Sequence, residues 1–70
     1  MPTLDDYKIV LYREVDGWWV AYAPAIAGCH ALMPTKEEAL SELQLVFEMI
    51  LEEHQERGEA MPSDREIVCA

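Results

Sequence analysis

Residues 18–30 read "WWVAYAPAIAGCH", and the fold turns on how this stretch is read. Trp18, Trp19, Val20 and Tyr22 suit a half-buried, pleated strand. Pro24 has no N–H to offer a ladder, so pairing ends or becomes edge-like there. Ala25 to Gly28 then form a short turn, in which Gly28 supplies a backbone conformation that other residues resist. The closing "GCH" admits three readings: a reactive thiol–imidazole couple, a metal site, or architecture. Adjacent strand residues point to opposite faces, so Cys29 and His30 do not converge on one substrate. A zinc site needs three or four ligands, and the two cysteines and two histidines fall at no recognisable spacing. Cys29 is therefore expected to pack inward as a small hydrophobe and His30 to lie on the surface.

Upstream, Tyr7 to Glu14, "YKIVLYRE", is rich in β-branched and aromatic residues and reads as a first strand. Asp16-Gly17 is a strong hairpin signal, which makes Trp18 to Ala23 its antiparallel partner. Cys29 to Leu32 is a short third strand, completing a meander. Downstream, Thr35, Glu37 and Glu38 open a helix with a capping box. The Thr35 hydroxyl can accept from the Glu38 backbone and the Glu38 side chain can reach back to Thr35. The helix should run from Lys36 to about Arg57, where Gly58 provides a left-handed cap. Ala39, Leu40, Leu43, Val46, Phe47, Ile50 and Leu51 make its apolar stripe. Arg65 to Cys69, "REIVC", reads as a last strand returning to the sheet. The expected fold is α+β in the order β-β-β-α-β, one domain over residues 1–70, with the helix on one face of the sheet.

Seventy residues bury a small core, so a partner subunit is an expected source of further stability. Two cysteines do not make a disulfide framework. No apolar run is long enough to span a bilayer, and "MPTLDDY" has neither the basic nor the apolar region of a signal peptide. The expectation is a cytoplasmic protein with reduced thiols. Net charge is −9, from fourteen acidic and five basic residues. That disfavours nucleic acid, where neutralising phosphate with Lys and Arg dominates affinity, and favours a partner with a basic surface.

The order and spacing of these elements resemble the HicB family of antitoxins and related single-domain HicB-like proteins. The resemblance rests on Trp19, Val20, Ala21, Pro24, Gly28 and Cys29, then Thr35, Glu37, Glu38, Ala39 and Leu40, then Gly58 and Pro62. It covers nearly the whole chain, and it implies a truncated ribonuclease H-like fold. It also implies binding to a small HicA-type mRNA-cleaving toxin, whose catalytic histidine the antitoxin covers. Family members that bind their operator do so through a further C-terminal domain. The sequence in hand ends at Ala70, so direct nucleic-acid binding by this chain is not expected.

Catalysis is not expected either. Ribonuclease H chemistry needs carboxylates converging on two metal ions, whereas Glu37, Glu38, Glu42, Glu48, Glu52, Glu53 and Glu56 spread around a solvated helix face. No catalytic residue, cofactor or metal is assigned. Trp18 and Trp19 must face opposite ways, and one of them is expected to anchor an interface on the open sheet face together with Tyr22. Leu45 and Met49 lie opposite the apolar stripe among Glu38, Glu42, Glu52, Glu53 and Glu56, a second candidate contact with Glu42 at its side. Pro24, Gly28, Cys29, Thr35, Glu38 and Gly58 are assigned structural roles. Two functions stay open: a HicB-like antitoxin or toxin-binding module, and a stand-alone domain that assembles into dimers or tetramers without a toxin. A small metal-dependent nuclease is the least favoured reading, since the carboxylate constellation it needs is missing.

Overall fold

Val10–Arg13 pairs antiparallel with Trp19–Tyr22, which pairs antiparallel on its other side with His30–Met33. In this computed structural model, which describes residues 2–64, these are β1, β2 and β3, in the sheet order β1-β2-β3. One helix, α1, follows over Lys36–Arg57. The fold is α+β, a meander and then a long helix. The strand expected over Arg65 to Cys69 lies outside the described residues.

The strands are shorter than the sequence suggests, and the turns take the difference. Trp18 belongs to the closure of the first turn. Its carbonyl accepts from Glu14 N–H at 2.7 Å, and its own N–H donates to Asp16 Oδ1 at 3.1 Å. β2 stops at Tyr22 before Pro24, although Ala23 N–H still reaches Cys29 O at 3.0 Å and so closes the second turn. Gly28 sits there at φ +77°, in the left-handed region that a side chain resists. β3 then starts at His30 rather than Cys29 and runs on to Met33. Ahead of β1, Leu4–Asp6 forms a single 3-10 turn that periodicity did not show. Thr3 N–H donates to Asp6 Oδ2 at 2.8 Å, and the turn buries Leu4.

The helix begins and ends where its signals stand. Glu38 N–H donates to Thr35 Oγ1 at 3.2 Å, and the Thr35 hydroxyl in turn donates to Glu38 Oε1 at 3.1 Å. The reciprocal half of the box is thus made to the hydroxyl. At the other end Gly58 has φ +69°, its N–H donates to Gln55 O, and Glu59 N–H donates to His54 O at 2.8 Å. These two bonds satisfy carbonyls that a bare helix end leaves open. Replacing Thr35 with Ala removes the acceptor and is expected to cost about 1 kcal/mol, read as a lower midpoint in chemical denaturation. An unchanged midpoint would show that water caps this terminus equally well.

α1 packs across β2 and β3. Its contribution to the core is Ala39, Leu43 and Phe47, fully buried, with Val46, Ile50 and Leu51 half-buried against them. Leu40 departs from the expected stripe, being 38% exposed at its margin. The sheet contributes Ala21, Ala31 and, from beside the strands, Ala23 and Cys29. Ala25 and Ile26 fold inward from the second turn and close one end of the core. Tyr7 closes the other. Its ring lies 5.9 Å from Phe47, and its hydroxyl donates to Pro62 O at 2.5 Å. Burial, then the Asp6 and Asp64 carboxylates, push this phenol above its ordinary pKa.

Candidate functional site

The strand registers sort every sheet residue onto one of two faces. Leu11, Ala21 and Ala31 stand side by side on the helix face, and so do Arg13, Trp19 and Met33. The other face carries two cross-strand rows: Val10, Tyr22 and His30, and Tyr12, Val20 and Leu32. Trp18 continues this second face at the turn. Among the described residues no element packs on it. Tyr12 and Trp18 are each 43% exposed and Leu32 is 53% exposed. The Tyr12 and Tyr22 rings meet edge to face, with centroids 6.4 Å apart and planes at 82°. That geometry suits aromatic quadrupoles and holds both rings in place.

The two tryptophans therefore separate. Trp18 lies with Tyr22 on the open face, whereas Trp19 is half-buried against the core under the helix. Of the two candidates, Trp18 is the tryptophan on the open face, and Trp19 packs against the core. Sequence reasoning missed Tyr12, Val20 and Leu32 as members of the open face. The strand parity of Tyr22 points to Val20, and the hairpin register to Tyr12, once the face is known.

The outer side of α1 is the second surface. Leu45 is 55% exposed and Met49 69% exposed. Glu42, Glu52 and Glu56 stand around them on the helical wheel, and among the described residues none of these three makes an ion pair. Two neighbouring acids are engaged: Glu38 with Thr35 at the cap, and Glu53 with Arg57 at 2.6 Å. Both partners of that pair are more than half exposed, so it adds little to stability. The acid is concentrated on this side of the molecule, while the open sheet face holds His30 and, at its rim, Glu14. The covering of its ring, with the Glu14 carboxylate beside it, raises the Tyr12 phenol above its ordinary pKa.

Cys29 is 2% exposed and unbridged, and burial pushes its thiol up. A buried neutral thiol is a poor nucleophile. In a Cys69→Ser background, Cys29 is expected to resist a maleimide at neutral pH until the chain is unfolded. Because its folded pKa lies above the unfolded one, the protein keeps this stability below the unfolded thiol pKa and loses it as pH rises past that value. Rapid labelling of the folded chain would overturn the structural reading of Cys29. Cys29 and His30 do face opposite ways, one buried and one exposed. Among the described residues no group of three or more His, Cys, Asp or Glu is arranged to hold a metal ion. A groove of about 420 Å³ lies at the C-terminal end of α1, between His54 and Pro62, away from both surfaces. No helix among the described residues is long and apolar enough to cross a membrane.

Comparison with known proteins gives a family. The UPF0150 protein ssl0259 of Synechocystis sp. is 41% identical over 58 residues, which span 83% of this chain and 80% of that protein. A second Synechocystis protein, UPF0150 protein ssr1765, is 35% identical over 54 residues, 71% of this chain and 68% of its own length. UPF0150 protein Ta0767 of Thermoplasma acidophilum is 29% identical over 58 residues, 83% and 84% of the two chains. No family model and no solved structure matches the chain.

Proposed function

The chain belongs to the UPF0150 family, and on that premise we propose that it is a HicB-like binding module, an antitoxin domain without chemistry of its own. The reading takes the sheet and helix as a truncated ribonuclease H-like fold and the setting as cytoplasmic. Its occupant is a small HicA-type ribonuclease with a basic surface, inactivated because this chain sits over its catalytic residues. One observation carries it: Leu45 and Met49 stand exposed on α1 among Glu42, Glu52 and Glu56, which have no ion-pair partners among the described residues. Unpaired acids around an apolar centre match the anatomy of a contact with a basic protein. The charge speeds encounter and the apolar centre slows release.

The test is to express the chain with the product of the adjacent reading frame, with a tag on only one of them. A stoichiometric complex, together with relief of that neighbour's toxicity, supports the reading. Reversing Glu42, Glu52 and Glu56 to Lys is expected to slow association by roughly 10–100-fold, and added salt to weaken the wild-type complex. A complex indifferent to both would place the contact elsewhere. Absence of any complex would leave the module without an occupant. The second reading, a stand-alone assembling domain, is favoured by a different observation, the uncovered sheet face.

A further inference from the structure

We infer that the open sheet face is the interface between two copies of this chain, which pack sheet to sheet as a dimer with their acidic helices outward. Two observations select this occupant: where the charge is, and how much surface is offered.

A chain of net charge −9 repels its own copy wherever acids meet. Helix-to-helix packing would set Glu42, Glu52 and Glu56 of one copy against those of the other. The open sheet face is different. Its rows are Val10, Tyr22, His30 and Tyr12, Val20, Leu32, with no carboxylate among them. Packed layers are about 10 Å apart, so two sheets placed face to face hold their helices roughly 30 Å apart. That is several times the screening length of about 8 Å at physiological salt. Glu14, beside Tyr12 at the rim, is the acid this face carries, so it offers far less to a basic partner than α1 does.

Tyr12 and Trp18, 43% exposed, each offer about 100 Å² from side chains that bury 150–250 Å² when covered. With Leu32 at 53% exposed and the partly exposed Val10, Val20, Tyr22 and His30, the face provides on the order of 500 Å² per copy, about 1,000 Å² for a pair. That is the lower end of specific interfaces, so the dimer is concentration-dependent. A two-fold arrangement uses the same patch on both copies and closes at two.

The experiment uses the full chain alone, so it stands or falls independently of any toxin. Sedimentation velocity from micromolar to submillimolar protein is expected to show mass rising from 8.0 kDa to twice that and no further. Salt should preserve or strengthen this association, the opposite of its effect on a basic partner. Tyr12→Glu should hold the mass at the monomer value with an unchanged circular dichroism spectrum, while Leu45→Glu should leave the dimer intact. Should Tyr12→Glu fail to fold, Trp18→Ala, outside the paired strands, is expected to weaken the dimer at least tenfold. A monomer at every concentration would overturn the inference. So would a dimer that survives Tyr12→Glu or Trp18→Ala, one lost in Leu45→Glu, or growth past two copies.

Discussion

Phe47→Ala is expected to unfold most of what this chain can hold together. Phe47 is 1% exposed, among the largest fully buried side chains, and it lies against Tyr7 at 5.9 Å. Truncating a buried Phe costs about 3–5 kcal/mol, from lost transfer energy and the cavity left behind. A domain of this length is stable by roughly 4–10 kcal/mol in total, so one substitution removes about a third of that or more. The loss also reaches beyond α1. Tyr7 leans on Phe47 and donates to Pro62 O, so the segment before β1 and the segment after the helix lose a shared anchor. The melting temperature followed by circular dichroism should fall by at least about 12 °C, given 4–8 °C per kcal/mol for a domain of this size. Leu40→Ala is the control. At 38% exposed it should cost under about 1 kcal/mol, although it belongs to the same apolar stripe in the sequence. Equal losses at the two positions would mean that α1 is rotated about its axis from the arrangement described.

That contrast marks how far the sequence could be read. The helix limits were legible because they are set by local chemistry: a threonine that can accept from the fourth residue's N–H, and a glycine free to take positive φ. The hairpin was legible for the same reason, through Asp16-Gly17. What was not legible is settled between elements. Trp18, Val20 and Tyr22 have one parity and Trp19, Ala21 and Ala23 the other, and both sets are apolar. Hydrophobicity therefore cannot say which set meets the helix. Volume decides it. Ala21, Ala23, Cys29 and Ala31 are small and share one side, and a helix can approach a sheet closely only over small residues. Trp18, Val20 and Tyr22 are left outward, while Trp19 packs against the core at the start of β2, paired with Met33. The inward fold of Ala25 and Ile26 and the 3-10 turn that buries Leu4 also answer to the shape of the finished core rather than to any local pattern.

The same argument yields the second large effect, at Ala21. Ala21 is 0% exposed at the middle of β2, with Leu11 on one side and Ala31 on the other. Ala21→Leu adds three carbons where no free volume is left. Either the helix lifts from the sheet or the new side chain takes an unfavourable rotamer, and such overpacking costs about 1–3 kcal/mol and sometimes more. Val20→Leu makes a smaller change one residue earlier, on the open face, where the side chain has room. It is expected to stay within about 0.5 kcal/mol, measured at low protein concentration so that association does not contribute. The pair tests the parity of the whole sheet, because a slip of one residue exchanges the faces of every side chain in a strand. If Val20→Leu were the damaging change and Ala21→Leu the harmless one, α1 would cover the face assigned here to a second copy. Trp19 would then be the exposed tryptophan. If Ala21→Leu alone destabilises, the small residues of β2 and β3 are what seat the helix, and the aromatic face is free for a partner.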